Sequence, residues 1–574
     1  MARQRVLLPG VILLLASCNA APPVGAPAPV NSSVDQLLDS LSVRDRVAQL
    51  IMPWIPGTYA ALDESGLQQA ERWVDSLHVG GIIISVGSPL DEAAKLNALQ
   101  RLAPLPLLVA SDLESGTSIR LHGGTRFPPN MGVAAGGREQ DAREIGRITA
   151  LEGRAVGIHM AFAPDADVNS NPANPIINTR SFGEDPAVVS AFVTSAVRGI
   201  QDNGMLATVK HFPGHGDTET DSHLALPVVG ANWERLDTLE LVPFRAAIKA
   251  KVDAVMSAHI ALPGIDSGRV RPATVNPDVL TGVLRDSLGF DGLTVTDALN
   301  MQGVVSKYGA GEAAVLAFEA GADLLLMPAD AGQALDALTD AVSSGRVSEA
   351  RLDRSVRKLL VTKRRLGLFR EREVDLDSVM AVVGRADFQA FADSVAVRSI
   401  VLARDDGTVD SLRSAPRTVA LIEYGEGTAE EVGTTFAAEL RRSGVTVNAF
   451  RLLAQSGAAS YDSAAVVVAN SPYAVFAVAV RAVAWRGSIG LPAPLVSLID
   501  SAAARQPTLL ASFGSPYVIM QSPGVGSYLV AWSSNPESER AAARALRGAP
   551  ITGHLPITIP PDLPIGSGLT RSAQ

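Results

Sequence analysis

Leu206-Ala207-Thr208-Val209-Lys210-His211-Phe212-Pro213 is the stretch on which the reading of the fold turns. A mostly apolar, β-prone run meets an ionisable pair, and Pro213 then ends any central strand because it has no N–H for a ladder. The same grammar recurs at 48–55 (AQLIMPWI), 80–86 (GGIIISV), 106–114 (PLLVASDLE) and 160–168 (MAFAPDADV). It continues at 254–262 (AVMSAHIAL), 293–299 (LTVTDAL) and 323–329 (DLLLMPA). Runs that stay apolar instead of alternating mark strands covered on both faces, as in a parallel sheet wrapped by helices. Eight such runs between helical patterns predict an α/β fold, a (β/α)8 TIM-type barrel over residues 36–370.

Ionisable residues gather at the C-terminal ends of five runs: Asp112 and Glu114, Asp165 and Asp167, Lys210 and His211, His259, and Asp297. A barrel brings those ends onto one face, where barrel enzymes carry their chemistry. Asp165 and Asp167 read as structural polar groups of that rim, and His259 as a residue that lines the face or braces a loop.

A helix over 348–365 closes the barrel, with Ser348 as its cap and Leu352, Val356, Leu359 and Leu360 on one apolar face. Residues 371–394 read as a charged linker. A second α/β pattern over 395–565 predicts a smaller α/β sandwich with helices on both sides of its sheet. Its strand candidates are 398–404, 418–424, 445–451, 463–469, 474–480, 508–514 and 527–532. The Pro-rich tail at 555–565 reads as packed irregular chain.

The chain has 574 residues, a net charge of −10 and a single Cys. Net negative charge argues against a nucleic-acid surface, which needs clustered Lys and Arg. One Cys excludes an intramolecular disulfide framework and any Cys-based zinc site. Residues 1–17 read as a secretory signal: basic at 2–5, apolar at 6–15, then small residues. Leu15-Ala16-Ser17-Cys18 resembles a bacterial lipoprotein processing box, which makes Cys18 the candidate lipidation site. Residues 18–35 form a Pro- and Ala-rich tether. The expected location is the bacterial cell envelope, facing the periplasm or the outer surface, held to the membrane by lipid alone.

Beyond Phe212 the chain reads Pro213-Gly214-His215-Gly216-Asp217-Thr218-Glu219-Thr220-Asp221-Ser222-His223. His211 and His215 are four apart, a metal-binding spacing only on a helix, and Pro213 with Gly214 prevents one. A loop held by satisfied histidines is the plainer alternative. A third reading is a dyad in which Asp221 orients and polarises the imidazole of His223, giving a group that donates and later removes a proton near neutral pH.

Lys-His-Phe-Pro-Gly-His-Gly, four residues, then Asp-Ser-His resembles the motif of glycoside hydrolase family 3, in its β-N-acetylhexosaminidase branch. The resemblance extends to Leu41-Ser42 through Met52, to Arg180-Ser181-Phe182-Gly183 with Asp185, and to Pro272-Ala273-Thr274. It continues through Leu288-Gly289-Phe290-Asp291-Gly292 to Thr296-Asp297-Ala298-Leu299, and weakly to Ser512-Phe513-Gly514-Ser515-Pro516-Tyr517. It implies that Asp297 is the nucleophile and His223 the general acid/base, with Asp221 as its partner. It also implies that Asp112, Arg120, Arg180, Lys210 and His211 hold the sugar. No cofactor and no metal are implied. One stretch departs from the family pattern: Ser115 stands where Gly is common and Thr117 where Arg is common.

These roles suit retaining hydrolysis, in which a carboxylate forms a glycosyl-enzyme ester and an acid on the other side protonates the leaving oxygen. The Gly- and Thr-rich 211–223 loop is expected to close over the sugar. A His in the acid/base role is uncharged once deprotonated, which suggests phosphate as an alternative acceptor to water. The expected activity is removal of terminal N-acetylglucosamine from peptidoglycan fragments (muropeptides) or chitooligosaccharides. The alternatives are a β-glucosidase or β-xylosidase of the same family, and a catalytically silent, lipid-anchored glycan-binding protein.

Overall fold

The computed structural model describes residues 33–58, 64–222, 224–414, 417–426, 432–482 and 489–574. Cys18, the signal segment, most of the tether and His223 lie outside the described residues. No helix among the described residues is long and apolar enough to cross a membrane.

The barrel strands are β1 (Ile51–Met52), β2 (Trp54–Pro56), β3 (Gly81–Ser85), β4 (Leu108–Ser111), β5 (Met160–Ala161), β6 (Leu206–Phe212), β7 (Ala254–Ser257), β8 (Leu293–Val295) and β9 (Leu325–Leu326). The first apolar run thus makes two short strands. Strands β2 to β8 form one parallel sheet in chain order, while β1 pairs with β9 and Val295 bridges Leu324, so the sheet closes on itself.

The apolar character of the runs has a direct cause. Met52, Ile83, Leu108, Ala110, Met160, Leu206, Met256 and Leu293 fill the barrel interior. Their neighbours Ile51, Ile82, Ile84, Val109, Ala161, Val209 and Val255 pack outward into the core beneath the helices. Both faces of each strand are therefore dry, and alternation disappears. The closing helix is Glu349–Arg365, with the Ser348 hydroxyl accepting from Arg351 N–H (3.3 Å) and its Leu359 packed with the barrel interior.

Residues 371–394 hold the helix Leu376–Val382 and most of the helix Ala386–Ser399, so the charged stretch is folded. Arg398 Nε donates to Asp141 of the barrel at 2.9 Å. The second sheet contains β10 (Val401–Arg404), β11 (Thr418–Gly425), β12 (Thr446–Leu453), β13 (Tyr473–Ala479), β14 (Thr508–Ser512) and β15 (Ser527–Val530). Their order is β10-β15-β14-β13-β11-β12, parallel except for the β10–β15 pair.

One strand expectation is corrected. Residues 463–469 lie in the helix Ala458–Ala469. β12 and β13 both pair with β11 in parallel, so the chain between them must cross over, and a helix is the usual way to do so. Tyr461, Ala464, Val467 and Val468 face the core at helical spacing while Val466 faces solvent. A short apolar run does not distinguish these two outcomes by periodicity.

The two parts share an apolar cluster in which Met131 and Ala135 of the barrel pack with Trp532, Val401 and Leu555. Asn169 donates to the Tyr517 hydroxyl (2.9 Å), Asn535 to the Phe127 carbonyl (3.2 Å), and Thr558 N–H to Glu184 (2.8 Å).

Candidate active site

The strand ends open into a cleft of about 940 Å³ whose lining includes Asp112, Arg120, Arg180, Lys210, His211, Ser222 and Asp297. The second domain contributes Arg481, Phe513, Trp532 and Asn535 to the same cleft.

Asp112 follows β4 directly, and Lys210 lies within β6 with its side chain buried. Lys210 Nζ meets Asp112 Oδ1 at 3.0 Å and Glu114 Oε1 at 2.6 Å. Arg180 closes a short 3-10 turn, Asn178–Arg180, and grips Glu114 with two parallel bonds of 2.9 and 2.8 Å. Burial opposes charge on Glu114, but Arg180 and Lys210 outweigh it and hold the carboxyl well below its usual range. Burial likewise opposes the charges on Lys210 and Arg180, whose carboxylate neighbours keep both raised. The arrangement is a fixed set of ionic donors and acceptors facing one volume, suited to the hydroxyls of a sugar ring. Arg120 completes it from the side, with Nη2 3.7 Å from Asp112.

His211 is held from below. Its Nδ1 lies 2.8 Å from Asp167 Oδ2, and Asp167 also accepts the backbone N–H groups of His211 and His215. With Nδ1 donating to that carboxylate, Nε2 is the acceptor that Arg180 Nη2 approaches at 3.3 Å. His215 braces the loop, with Nδ1 2.9 Å from Thr218 Oγ1 and Nε2 3.1 Å from Ser222 Oγ. Burial, with His211 adding to it, lowers His215 to about 4, so it is neutral near pH 7. His259 bridges Thr274 Oγ1 and the Ala298 carbonyl, each at 2.8 Å, and so braces the backbone beside Asp297. Asp297 follows β8, with its Oδ1 accepting from Ala298 N–H at 2.8 Å. Asp221 is buried, and its carbonyl accepts from Leu224 and Ala225.

The sequence assigns Glu114 no role, and Asp167, read as a structural polar group of the rim, holds the His211 ring and two backbone amides in that capacity. The missing signal was partnership: only the folded chain brings Glu114 between two cations and Asp167 under the 211–215 backbone. Asp165, Asp167 and His211 bring ligand atoms within 4.8 Å of one another. Arg180 Nη2 already lies 3.2 Å from Asp165, so a guanidinium supplies the positive charge there.

Residues 42–362 match the pattern described as the Glycosyl hydrolase family 3 N terminal domain. The chain is a member of glycosyl hydrolase family 3. Within this family it is 31% identical over 507 residues to a β-N-acetylglucosaminidase/β-glucosidase of Cellulomonas fimi, covering 84% of this chain and 88% of the relative. A family 3 β-N-acetylglucosaminidase structure from Paenibacillus sp. str. FPU-7 superposes with a TM-score of 0.81 at 36% identity, covering 91% of this chain and 99% of that one. A β-glucoside phosphorylase, BglX, superposes with a TM-score of 0.83 at 26% identity, covering 92% of this chain and 98% of that one. The family match, together with relatives named for β-N-acetylglucosaminidase activity, identifies this chain as a glycoside hydrolase.

Proposed function

We propose that the chain is a retaining exo-β-N-acetylhexosaminidase that releases terminal N-acetylglucosamine from muropeptides or chitooligosaccharides. The observation that carries the reading is that Asp297 and Ser222, the residue between Asp221 and His223, line the same cleft as the Asp112–Lys210–Glu114–Arg180 ion network. The relatives named for β-N-acetylglucosaminidase and β-hexosaminidase activity support the substrate class.

In this reading the terminal ring rests on Asp112, Arg120, Arg180, Lys210 and His211. Asp297 attacks the anomeric carbon while His223, oriented by Asp221, protonates the leaving oxygen. The same imidazole then activates water, which releases the sugar and restores the carboxylate. Cys18 carries a lipid that holds the protein in the cell envelope.

A fluorinated N-acetylglucosaminyl inactivator should leave a glycosyl ester on Asp297, read by peptide mass spectrometry. Asp297→Asn should silence the enzyme on every substrate. A label on a different carboxylate, or turnover by the Asn variant, overturns the assignment. Chitobiose and purified muropeptides, assayed beside glucosides and xylosides, separate the substrate classes. Inorganic phosphate belongs in the same assays, because the fold is shared with a protein named as a phosphorylase. Glycosyl phosphate as product supports the alternative acceptor, and free sugar alone removes it.

A further inference from the structure

Glu152 lies on the helix Glu139–Ala155 behind the cleft, fully buried and paired with no cation among the described residues. Its Oε2 accepts from the Thr117 hydroxyl and from Thr125 N–H (3.0 Å). Its Oε1 accepts from the Thr125 hydroxyl (2.6 Å) and from Gly384 N–H (2.8 Å). Thr117 and Thr125 bracket the turn that carries Arg120. Within that turn Arg120 N–H donates to the Thr117 carbonyl (3.0 Å), and the Arg120 carbonyl accepts from Val86 N–H (2.7 Å). Gly384 approaches so closely that a Cβ there would stand 2.5 Å from the Gly123 carbonyl oxygen.

Arg120 needs this backing. Its side chain is 39% exposed and its pairing with Asp112 spans 3.7 Å, too long and too wet to fix a guanidinium. Backbone placement must aim it instead. Thr117, one of the two departures from the family pattern, supplies one of the four donors that lock the turn.

We propose that Glu152 is a positioning residue that aims Arg120 into the cleft and, through Gly384, ties that aim to the helix Ala386–Ser399 entering the second domain. The proposal rests on Arg120 being a sugar contact. Each carboxylate oxygen takes one hydroxyl, which can reverse its bond, and one amide N–H, which cannot. A glutamine amide therefore leaves one backbone N–H facing an NH2 group, whichever way it turns.

The test is a double-mutant cycle on the full chain with 4-nitrophenyl N-acetyl-β-glucosaminide. Glu152→Gln is expected to raise KM about tenfold with kcat changed less than twofold, the same pattern expected of Arg120→Ala, and to add nothing on the Arg120→Ala background. The same factor on both backgrounds, or a fall in kcat with KM unchanged, overturns the proposal. Thr117→Val removes one donor at nearly constant volume and should give a smaller KM rise of the same kind. It carries the test if Glu152→Gln does not fold, and an unchanged KM then overturns the proposal. If Arg120→Ala itself leaves the kinetics untouched, the reading of Arg120 as a sugar contact fails, and the role of Glu152 falls with it.

Discussion

Asp165 is fully buried beside Arg180, Lys210, His211 and Glu114, and neither carboxyl oxygen accepts a hydrogen bond among the described residues. Burial first, and then the charge on Glu114, push it up to about 7 against the pull of Arg180 and Lys210. The folded state therefore holds a proton that the unfolded chain releases near 3.8, so stability falls as pH rises from about 4 to 7 and is level above that. The span is worth on the order of 4 kcal/mol. Asp165→Asn should lack this fall, so wild type should lose ground to the variant between pH 4 and 7 in urea unfolding. Parallel curves would show Asp165 ionised throughout. His223 makes a second, kinetic case: replacement by Gly should slow substrates with poor leaving groups far more than activated aryl glycosides. Equal losses would speak against an acid role.

At the scale of elements, the loop after β6 depends on close approach. A Cβ on Gly216 would stand 1.7 Å from the Val168 carbonyl oxygen, which leads out of the β5 segment. Gly216→Ala must lift the loop away from Asp167, whose bond to His215 N–H is 2.7 Å. Because the chain leading to Asp221 and Ser222 hangs on that anchor, kcat/KM should drop at least a hundredfold with the thermal midpoint moved by only a few degrees. A variant with near-normal activity would mean the loop sets itself without this contact. His215 also ties this segment to itself, since both of its ring nitrogens are engaged within it.

For the whole molecule, the shared cluster of Met131 and Ala135 with Trp532, Val401 and Leu555 means that separating the two parts would expose apolar surface on each. Trp532 Nε1 also donates to the Ser399 carbonyl at 2.7 Å, at the end of the interdomain helix. A fragment of residues 36–370 should therefore associate and lose activity, read by size-exclusion chromatography and aryl glycoside turnover. A monomeric, active fragment would show that the second domain is dispensable to the barrel.

Residues whose job is local were visible in the sequence. Unbroken apolar runs recorded strands buried on both faces, Ser348 recorded a helix start, and polar strand ends recorded the open face of the barrel. The Val466-Val467-Val468 run misled because crossover topology, not propensity, made it helical. Partnerships between distant segments had no linear record: Glu114 between Arg180 and Lys210, Asp167 under two backbone amides, and Glu152 behind Arg120. Burial patterns are written by each residue's own transfer free energy, so the sequence determined them. Ion networks and close approaches depend on which strands the closed sheet sets side by side, and only the tertiary structure decided that.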